Sequence, residues 1–157
     1  MSNSTRDQFN DLLRSEGLNA GIIPVSNIPN EESRLNEVNR LGILNRDLDQ
    51  EAQYNALTQL AAIITKSQIG LINILGSNIQ QCKTNFGFNV LESTLTEEMP
   101  REISICQYSL ASPQEPLIIN DLFLDERTKH FKKLEAYENL RFYAGSPLIS
   151  SRGFSIG

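Results

Sequence analysis

Residues 140–149 constrain the fold of this chain more than any other stretch, because they favour an extended backbone. Phe142 and Tyr143 are common on the pleated surface of a strand, and Pro147 forbids a regular helix through its own position. Gly145 suits a place where another backbone or a ligand approaches closely. We therefore predict a β-strand here.

A turn and the beginning of another strand follow. Ser151, Arg152 and Gly153 are turn residues, and the run 154–157 has the composition of a strand that has just begun. The end of the chain is therefore predicted to be a hairpin with a short second strand.

Length and charge narrow the class of protein. At 157 residues the chain has the size of one globular domain. Its net charge of -5, with no basic cluster longer than Lys132 and Lys133, argues against nucleic-acid binding. Cys82 and Cys106 lack the spacing of a disulfide framework or a zinc site. The N-terminus lacks the pattern of a signal peptide, and no stretch has the roughly 20 apolar residues of a membrane span. We expect a cytoplasmic chain without membrane contact.

Residues 1–29 read as a partly flexible leader, either a loosely attached tail or a dimer-forming arm. A short amphipathic helix is predicted from Asp7 to Arg14, with Gly17 and Gly21 breaking the pattern after it.

Two helices are predicted to open the main domain, residues 30–157. Asn30 is a suitable N-cap for the first and Gly42 a suitable C-cap. Asp47 and Gln50 resemble a capping box ahead of the second. The buried face of this second helix is expected to carry Leu57, Leu60, Ala61 and Ile64.

The rest of the chain alternates between strands and short helical pieces. The aliphatic run 69–75 predicts a central strand, and 79–84 returns as its hairpin partner. Residues 85–101 read as a long loop, which either covers a pocket or is an irregular surface connection. Residues 103–110 are predicted to be either a strand entering a helical turn or a single turn. A strand at 117–121 and a helical piece from Asp125, with Phe131 and Leu134 inward, precede the strand at Phe142. This order favours an α+β domain with an antiparallel sheet.

Several segments, taken together, resemble a GAF domain, a small-molecule-sensing and dimerising module of signalling proteins. The similarity runs through residues 30–44, 49–62, 104–106 and 120–127, and its most specific block is LRFYAGSPL at 140–148. It covers roughly residues 30–157.

The resemblance implies a six-stranded antiparallel sheet with helices on one face and a pocket on the other, with Leu71 and Phe142 on adjacent or near-adjacent strands. It implies a homodimeric regulator rather than a catalyst, joined to a histidine kinase, a nucleotide or diguanylate cyclase, or a phosphodiesterase in the same polypeptide. The closing strand of the family is largely missing after Gly157. We expect either a fragment of a longer protein or a neighbouring molecule that pairs with the open strand edges.

Apolar and polar residues near these segments define an expected ligand pocket. Its predicted lining is Phe86, Phe88, Ile105, Cys106, Tyr108, Ser109, Asp121, Phe142 and Tyr143. Each is equally compatible with plain core or surface, and neither the ligand nor any cofactor is identified by the sequence.

Cys106 has two readings. At the start of a helical turn, the N-terminal dipole would lower its pKa and make it redox-reactive; the alternative is a small buried thiol. Gln107 follows it where bilin-binding relatives usually carry histidine. The Asn-Lys-Phe-Asp-Glu signature of cyclic-nucleotide relatives is not matched at Thr84-Asn85-Phe86-Gly87.

Other polar residues have simpler readings. His130 is expected to be a solvated helix residue. Asp121, Asp125 and Glu126 form either a carboxylate cluster for Mg²⁺ or ordinary caps of turns and helices, and we predict no metal site. Two alternatives to a sensor remain open: a thiol-dependent methionine sulfoxide reductase and a dimerisation scaffold without a ligand.

Overall fold

The structure is a computed structural model that describes residues 3–45, 52–87, 98–133 and 138–157. Its α-helices are α1 (Asn3–Ala20), α2 (Glu31–Leu41), α3 (Ala52–Thr65) and α4 (Gln107–Ala111). Its strands are β1 (Gly70–Leu75), β2 (Ile79–Phe86), β3 (Glu98–Pro100), β4 (Leu117–Ile119) and β5 (Tyr143–Gly145). Short 3-10 turns lie at Ile43–Asn45, Arg101–Ile103 and Lys129–Lys133. The predicted α+β class is confirmed.

The strands form two antiparallel sheets. One has the order β1-β2-β3, and the other pairs β4 with β5. Within the described ranges, a single six-stranded sheet is not formed. Leu71 lies in β1, whereas Phe142 lies just before β5, a strand of the other sheet. The two residues are therefore not on adjacent strands, and the expected adjacency is wrong. The predicted β1–β2 hairpin is confirmed, and β1 is an outer strand of the three-stranded sheet.

The end of the chain connects the two parts. The Leu148 amide donates to the Gly157 carbonyl over 2.9 Å, and the Ile156 amide donates to the Leu148 carbonyl over 2.8 Å, which confirms the predicted terminal hairpin. The Leu75 amide at the end of β1 donates to the Ile156 carbonyl over 3.0 Å. Residues 155–157 therefore lie between β1 and the first arm of the hairpin.

A buried arginine fixes α2 to the end of β1. Arg34 is 2% exposed and donates to the Leu75 carbonyl over 2.6 Å and the Gly76 carbonyl over 3.2 Å. Glu31 accepts from Arg34 and also from Arg101, which itself donates to the Gly76 carbonyl over 2.9 Å. The charged groups thus satisfy backbone carbonyls where the strand ends.

Both predicted cap residues flank α2, but Asn30 does not cap the helix with its side chain. Gly42 is left-handed with φ 61°, as expected for a C-terminal glycine. Asn30 is also left-handed with φ 53°, and its side chain makes no capping hydrogen bond. Asparagine tolerates that conformation better than most residues. The predicted capping box at Asp47 and Gln50 lies outside the described residues.

Helix α1 is longer than predicted and packs on the domain. Gly17 does not break it: a Cβ at this position would overlap the side chain of Ile103, so glycine permits close helix packing. The helix ends before Gly21, whose φ is +97°. Lys133 Nζ donates to the carbonyl of Ala20 over 2.8 Å, which places a cation at the negative end of the helix dipole.

Helix α3 faces the sheet with the opposite side from the one predicted. Thr58 and Ala62 are buried. The residues predicted to be buried, Leu57, Leu60, Ala61 and Ile64, are all exposed. A Cβ at Gly70 would lie 2.5 Å from the Thr58 carbonyl oxygen, so the helix approaches β1 too closely for large side chains at the contact. The small and polar side of the helix therefore meets the sheet.

The main core lies around Phe131, and the prediction that this residue points inward is confirmed. It is fully buried. The cluster contains Ile22, Met99, Ile103, Ile105, Leu117, Ile119, Leu122 and Phe131. Met99 belongs to β3, so the end of the predicted loop 85–101 is a strand, and its residues 88–97 lie outside the described ranges. The inward prediction for Leu134 also falls outside them. In the described part of the chain, every helix falls short of the length and apolar character needed to cross a bilayer.

Candidate ligand site

Cys106 lies at the position before α4 and is partly buried. Burial raises the pKa of this thiol, while hydrogen bonds from Tyr143 and Asn73 partly oppose that rise. The helix that follows has only five residues. Of the two readings of Cys106, a pKa lowered by the helix dipole is therefore not supported, because desolvation of the thiolate raises the pKa. The thiol is neutral near pH 7, in agreement with the buried-thiol reading.

Asn73 is the residue that sequence reasoning missed. It lies on β1 directly after a register shift between Ile72 and Asn73, and it is 9% exposed. Its Nδ2 donates to Cys106 Sγ over 3.4 Å, whereas its Oδ1 is buried without a hydrogen-bond partner among the described residues. A single polar residue within the aliphatic run GLINIL was the available signal.

Tyr143 completes a three-residue group from separate elements. Its hydroxyl donates to Cys106 Sγ over 3.3 Å, and its ring packs against the core around Phe131. A Cβ at Gly145 would lie 2.6 Å from the Tyr143 hydroxyl, so only glycine leaves room for this ring. The sequence predicted the close approach of a backbone or a ligand at Gly145, but the group that approaches is a side chain two residues earlier. We call Asn73, Cys106 and Tyr143 the thiol cluster.

The other predicted lining residues are dispersed. Ile105 is buried in the core, and Tyr108 packs against that core while its hydroxyl donates to the Ile23 carbonyl over 3.3 Å. Ser109 Oγ donates to the Cys106 carbonyl over 2.7 Å within its own turn. Phe142 is 53% exposed. The structure therefore brings Cys106 and Tyr143 into contact. Ile105, Tyr108, Ser109 and Phe142 do not line a common cavity with them.

Phe86 and Phe88 are the remaining residues of the predicted lining. Phe86 is the last residue of the strand and is partly buried. Phe88 lies outside the described residues.

The predicted carboxylates are engaged by arginines. Asp121 is paired with Arg141, whose guanidinium lies 4.9 Å from the centroid of the Phe123 ring. Asp125 is paired with Arg127 over 2.6 Å. The hydrogen bonds from these arginines lower the pKa of both aspartates. The amides of Phe123 and Arg127 also donate to the two carboxylates, which matches the turn-capping reading.

His130 is less solvated than predicted. It is partly buried, and a Cβ at Gly21 would lie 3.0 Å from its Nδ1, so the ring covers the turn after α1.

A small cleft lies apart from the thiol cluster, between the start of α2, the turn after α4 and the terminal hairpin. It holds about 70 Å³ and is lined by Arg34, Leu110, Gln114 and Ser155, among others. Arg34 already donates to Glu31, Leu75 and Gly76, so it has little capacity left for an anion. Ligand pockets usually enclose about 300–1,000 Å³. We therefore do not assign the ligand site to this cleft.

The chain is similar in sequence to part of a known signalling enzyme. No family model matches it. It is 27% identical over 127 residues to a cyclic di-GMP phosphodiesterase of Pseudomonas aeruginosa, an alignment that covers 81% of this chain. The chain spans about a fifth of that protein, since the alignment covers 20% of its length. The chain is therefore a weak homologue of part of a signalling protein.

Proposed function

We propose that residues 30–157 form a GAF-like regulatory domain of a signalling protein, which binds a small molecule at the thiol cluster and has no catalytic activity of its own. The phosphodiesterase activity of the relative and the GAF-like sequence segments support the signalling role. In this proposal the domain acts as a homodimer and passes its signal to an output domain of the same polypeptide.

The observation that carries the ligand proposal is the unpaired Oδ1 of Asn73. The residue is 9% exposed, and this oxygen has no hydrogen-bond partner among the described residues. Buried polar atoms nearly always have such a partner, because leaving one unpaired costs about 1–3 kcal/mol. A bound molecule that donates an N–H or O–H to this oxygen would remove that cost.

The chemistry of the cluster also limits the ligand. An amide does not titrate, and a phenol is ordinarily neutral near pH 7. The thiol is neutral as well, because burial raises the pKa of Cys106. Without a cation in the cluster, a phosphate or carboxylate has no ion-pair partner there. The cluster therefore fits a neutral molecule, or the neutral part of a larger one, with at least one hydrogen-bond donor.

The raised pKa of Cys106 also disfavours the thiol-dependent reductase. Nucleophilic attack by cysteine requires the thiolate, and the raised pKa of Cys106 makes the thiolate scarce at neutral pH. The side chains that donate to the Cys106 sulfur in the described part of the chain, those of Asn73 and Tyr143, are an amide and a phenol.

A thermal-shift screen tests ligand binding. The panel consists of the purine bases, the common amino acids, cyclic AMP, cyclic GMP and cyclic di-GMP. At least one compound should raise the melting temperature of the wild type, and Asn73→Leu should abolish the rise. Asn120→Leu is the matched control, because Asn120 is exposed. If the stabilising compound acts equally on Asn73→Leu, the site lies elsewhere.

An activity assay tests the regulatory role. The purified chain, incubated with cyclic di-GMP and Mg²⁺ or Mn²⁺, should leave the dinucleotide intact. Hydrolysis that persists through further purification would contradict the proposal that this part of the relative's sequence is regulatory.

A further inference from the structure

The two faces of the β1–β2 hairpin meet different parts of the molecule. Thr84 is paired with Ile72, and its hydroxyl oxygen lies 3.2 Å from that of Thr58, so this face meets α3. Successive side chains of a strand point to opposite faces, so Asn73 lies on the other face, where it donates to Cys106. We call this other face, which carries Asn73, the thiol face.

Burial increases along the thiol face from one end to the other. At the open end, Leu71 is 40% exposed and pairs with Asn85, which is also exposed. In the middle, Asn73 is 9% exposed. At the deep end, Leu75 pairs with Gln80, and the two are 0% and 6% exposed. A molecule bound on this face would therefore have one end near solvent and the other inside the domain.

The deep end holds a second buried amide oxygen without a hydrogen-bond partner among the described residues. This atom is Gln80 Oε1. The cross-strand neighbours of Gln80 are Leu75 on one side and Met99 on the other, and both are almost fully buried. Neither of these side chains can donate a hydrogen bond. The oxygen therefore carries the same desolvation cost as Asn73 Oδ1.

The amides of Asn73 and Gln80 lie close enough for one molecule to reach both. Because Asn73 pairs with Cys82 and Leu75 pairs with Gln80, the two amides are diagonal neighbours on one face. Such neighbours are about 7–8 Å apart. Since both amide oxygens are acceptors, a molecule that satisfies them must supply two donors.

The charge of the thiol face limits the ligand further. Its described side chains from β1 and β2 are all uncharged: Leu71, Asn73, Leu75, Gln80, Cys82 and Asn85. A charged group at the deep end would lose its hydration without gaining an ion-pair partner on either strand. The part of the ligand that reaches Gln80 should therefore be neutral.

We propose that the ligand of the thiol cluster is a compound whose buried part is neutral and carries at least two N–H or O–H donors. One donor meets Asn73 Oδ1, another meets Gln80 Oε1 at the deep end, and the rest of the molecule extends towards Leu71. Amides and amino-heterocycles belong to this class, whereas hydrocarbons do not. This inference rests on the proposed function, to which it adds a second contact residue and a direction of binding.

Native mass spectrometry of the full chain, purified gently from bacterial cells, tests the contact with Gln80. The wild type should carry a bound mass, and Gln80→Met should lose it, because a thioether of similar length is only a weak acceptor. Gln81→Met is the matched control. Gln81 Oε1 is also buried without a partner among the described residues, but Gln81 pairs with Ile74 and lies on the opposite face. This control should keep the bound mass.

Transfer of the released molecule into D₂O counts its donors. Each N–H or O–H hydrogen exchanges for deuterium and raises the mass by one unit. The proposal predicts at least two exchangeable hydrogens, apart from the deuteron that carries the charge in the spectrometer. A molecule with none or one would overturn it.

The variants separate failure of the Gln80 contact from failure of the proposed function. A wild type without a bound mass, or a mass that persists in Asn73→Leu, contradicts the proposed function and this inference with it. A mass that is lost from Asn73→Leu but persists in Gln80→Met overturns the Gln80 contact alone.

A second variant covers the case in which Gln80→Met does not fold, as judged by circular dichroism. Gln80→Asn withdraws the acceptor by one methylene and should retain less of the bound mass than Gln81→Asn. Equal retention in these two variants would overturn the contact.

Discussion

The hydroxyl of Tyr143 donates a hydrogen bond to the sulfur of Cys106 over 3.3 Å, which joins β5 to the residue before α4. Asn73 reaches the same sulfur from β1 over 3.4 Å. The sulfur of Cys106 therefore accepts hydrogen bonds from a side chain of each sheet. Five predictions follow from this arrangement and from the packing around it.

Cys106 should react slowly with a thiol reagent in the folded chain. Burial raises its pKa and hides the sulfur, so both the thiolate fraction and the access of the reagent are low. In a Cys82→Ser background, Ellman's reagent at pH 7.5 should modify Cys106 at least about 10-fold more slowly in the native state than in urea. A native rate equal to the unfolded rate would restore the redox-active reading.

Gly17→Ala should destabilise the protein, although alanine normally stabilises a helix interior by about 1 kcal/mol relative to glycine. The new Cβ overlaps Ile103, and overpacking of this kind costs about 1–3 kcal/mol. Urea unfolding measures the change. Glu16→Ala, at an exposed position of the same helix, should be near neutral. If Gly17→Ala is stabilising, α1 is not packed on the domain.

The existence of α1 could be predicted from the sequence, but its full length and its packing could not. A helix near residues 7–14 followed from its apolar spacing, but its continuation through Gly17 did not, because glycine is a poor helix former. Only the contact with Ile103, some 86 positions later, explains why glycine is there. A long-range contact of this kind leaves no local pattern.

Helix α3 shows a related limit. Its existence was predictable from periodicity, whereas the side that faces the sheet was not. The usual rule places leucines inward, but the close approach of Gly70 and the hydrogen bond between Thr58 and Thr84 select the opposite side. The hairpins and the constraint at Gly145 were predictable because turn and glycine chemistry are local. In the thiol cluster, Cys106 and Tyr143 were predicted, but Asn73 was hidden in an aliphatic run.

Arg34→Met should be strongly destabilising. The substitution removes the side-chain donor to the Leu75 carbonyl and one of two donors to the Gly76 carbonyl. It also leaves Glu31 with Arg101 as its remaining arginine partner among the described residues. Breaking a buried ion pair from one side costs about 3–5 kcal/mol, which urea unfolding should detect. Arg127→Met is the control, because its ion pair with Asp125 is 45% exposed on the arginine side and exposed pairs contribute about 0–1 kcal/mol. Equal losses in the two variants would contradict the anchoring role of Arg34.

Acid should destabilise the fold partly through Glu37. Hydrogen bonds from Arg40 lower the pKa of Glu37 from 4.5 to about 2. Desolvation opposes this shift, and a hydrogen bond from Ser150 adds to it. The folded state thus binds this proton less readily than the unfolded state, so the contribution is complete above pH 4.5 and is lost as the pH falls towards 2. Glu37→Gln should flatten this acid limb in urea unfolding measured between pH 2.5 and 6. An unchanged pH dependence in Glu37→Gln would show that other carboxylates account for it.

The most direct test of a ligand at the thiol cluster is native mass spectrometry of the chain purified from bacterial cells under gentle conditions. The account predicts a bound small molecule on the wild type and on the Asn120→Leu control, and its loss from Asn73→Leu, because the buried acceptor that holds it has been removed. A wild-type chain without any bound mass, combined with no thermal shift from the compound panel, would contradict ligand binding, and a bound mass that persists in Asn73→Leu would contradict the assigned site.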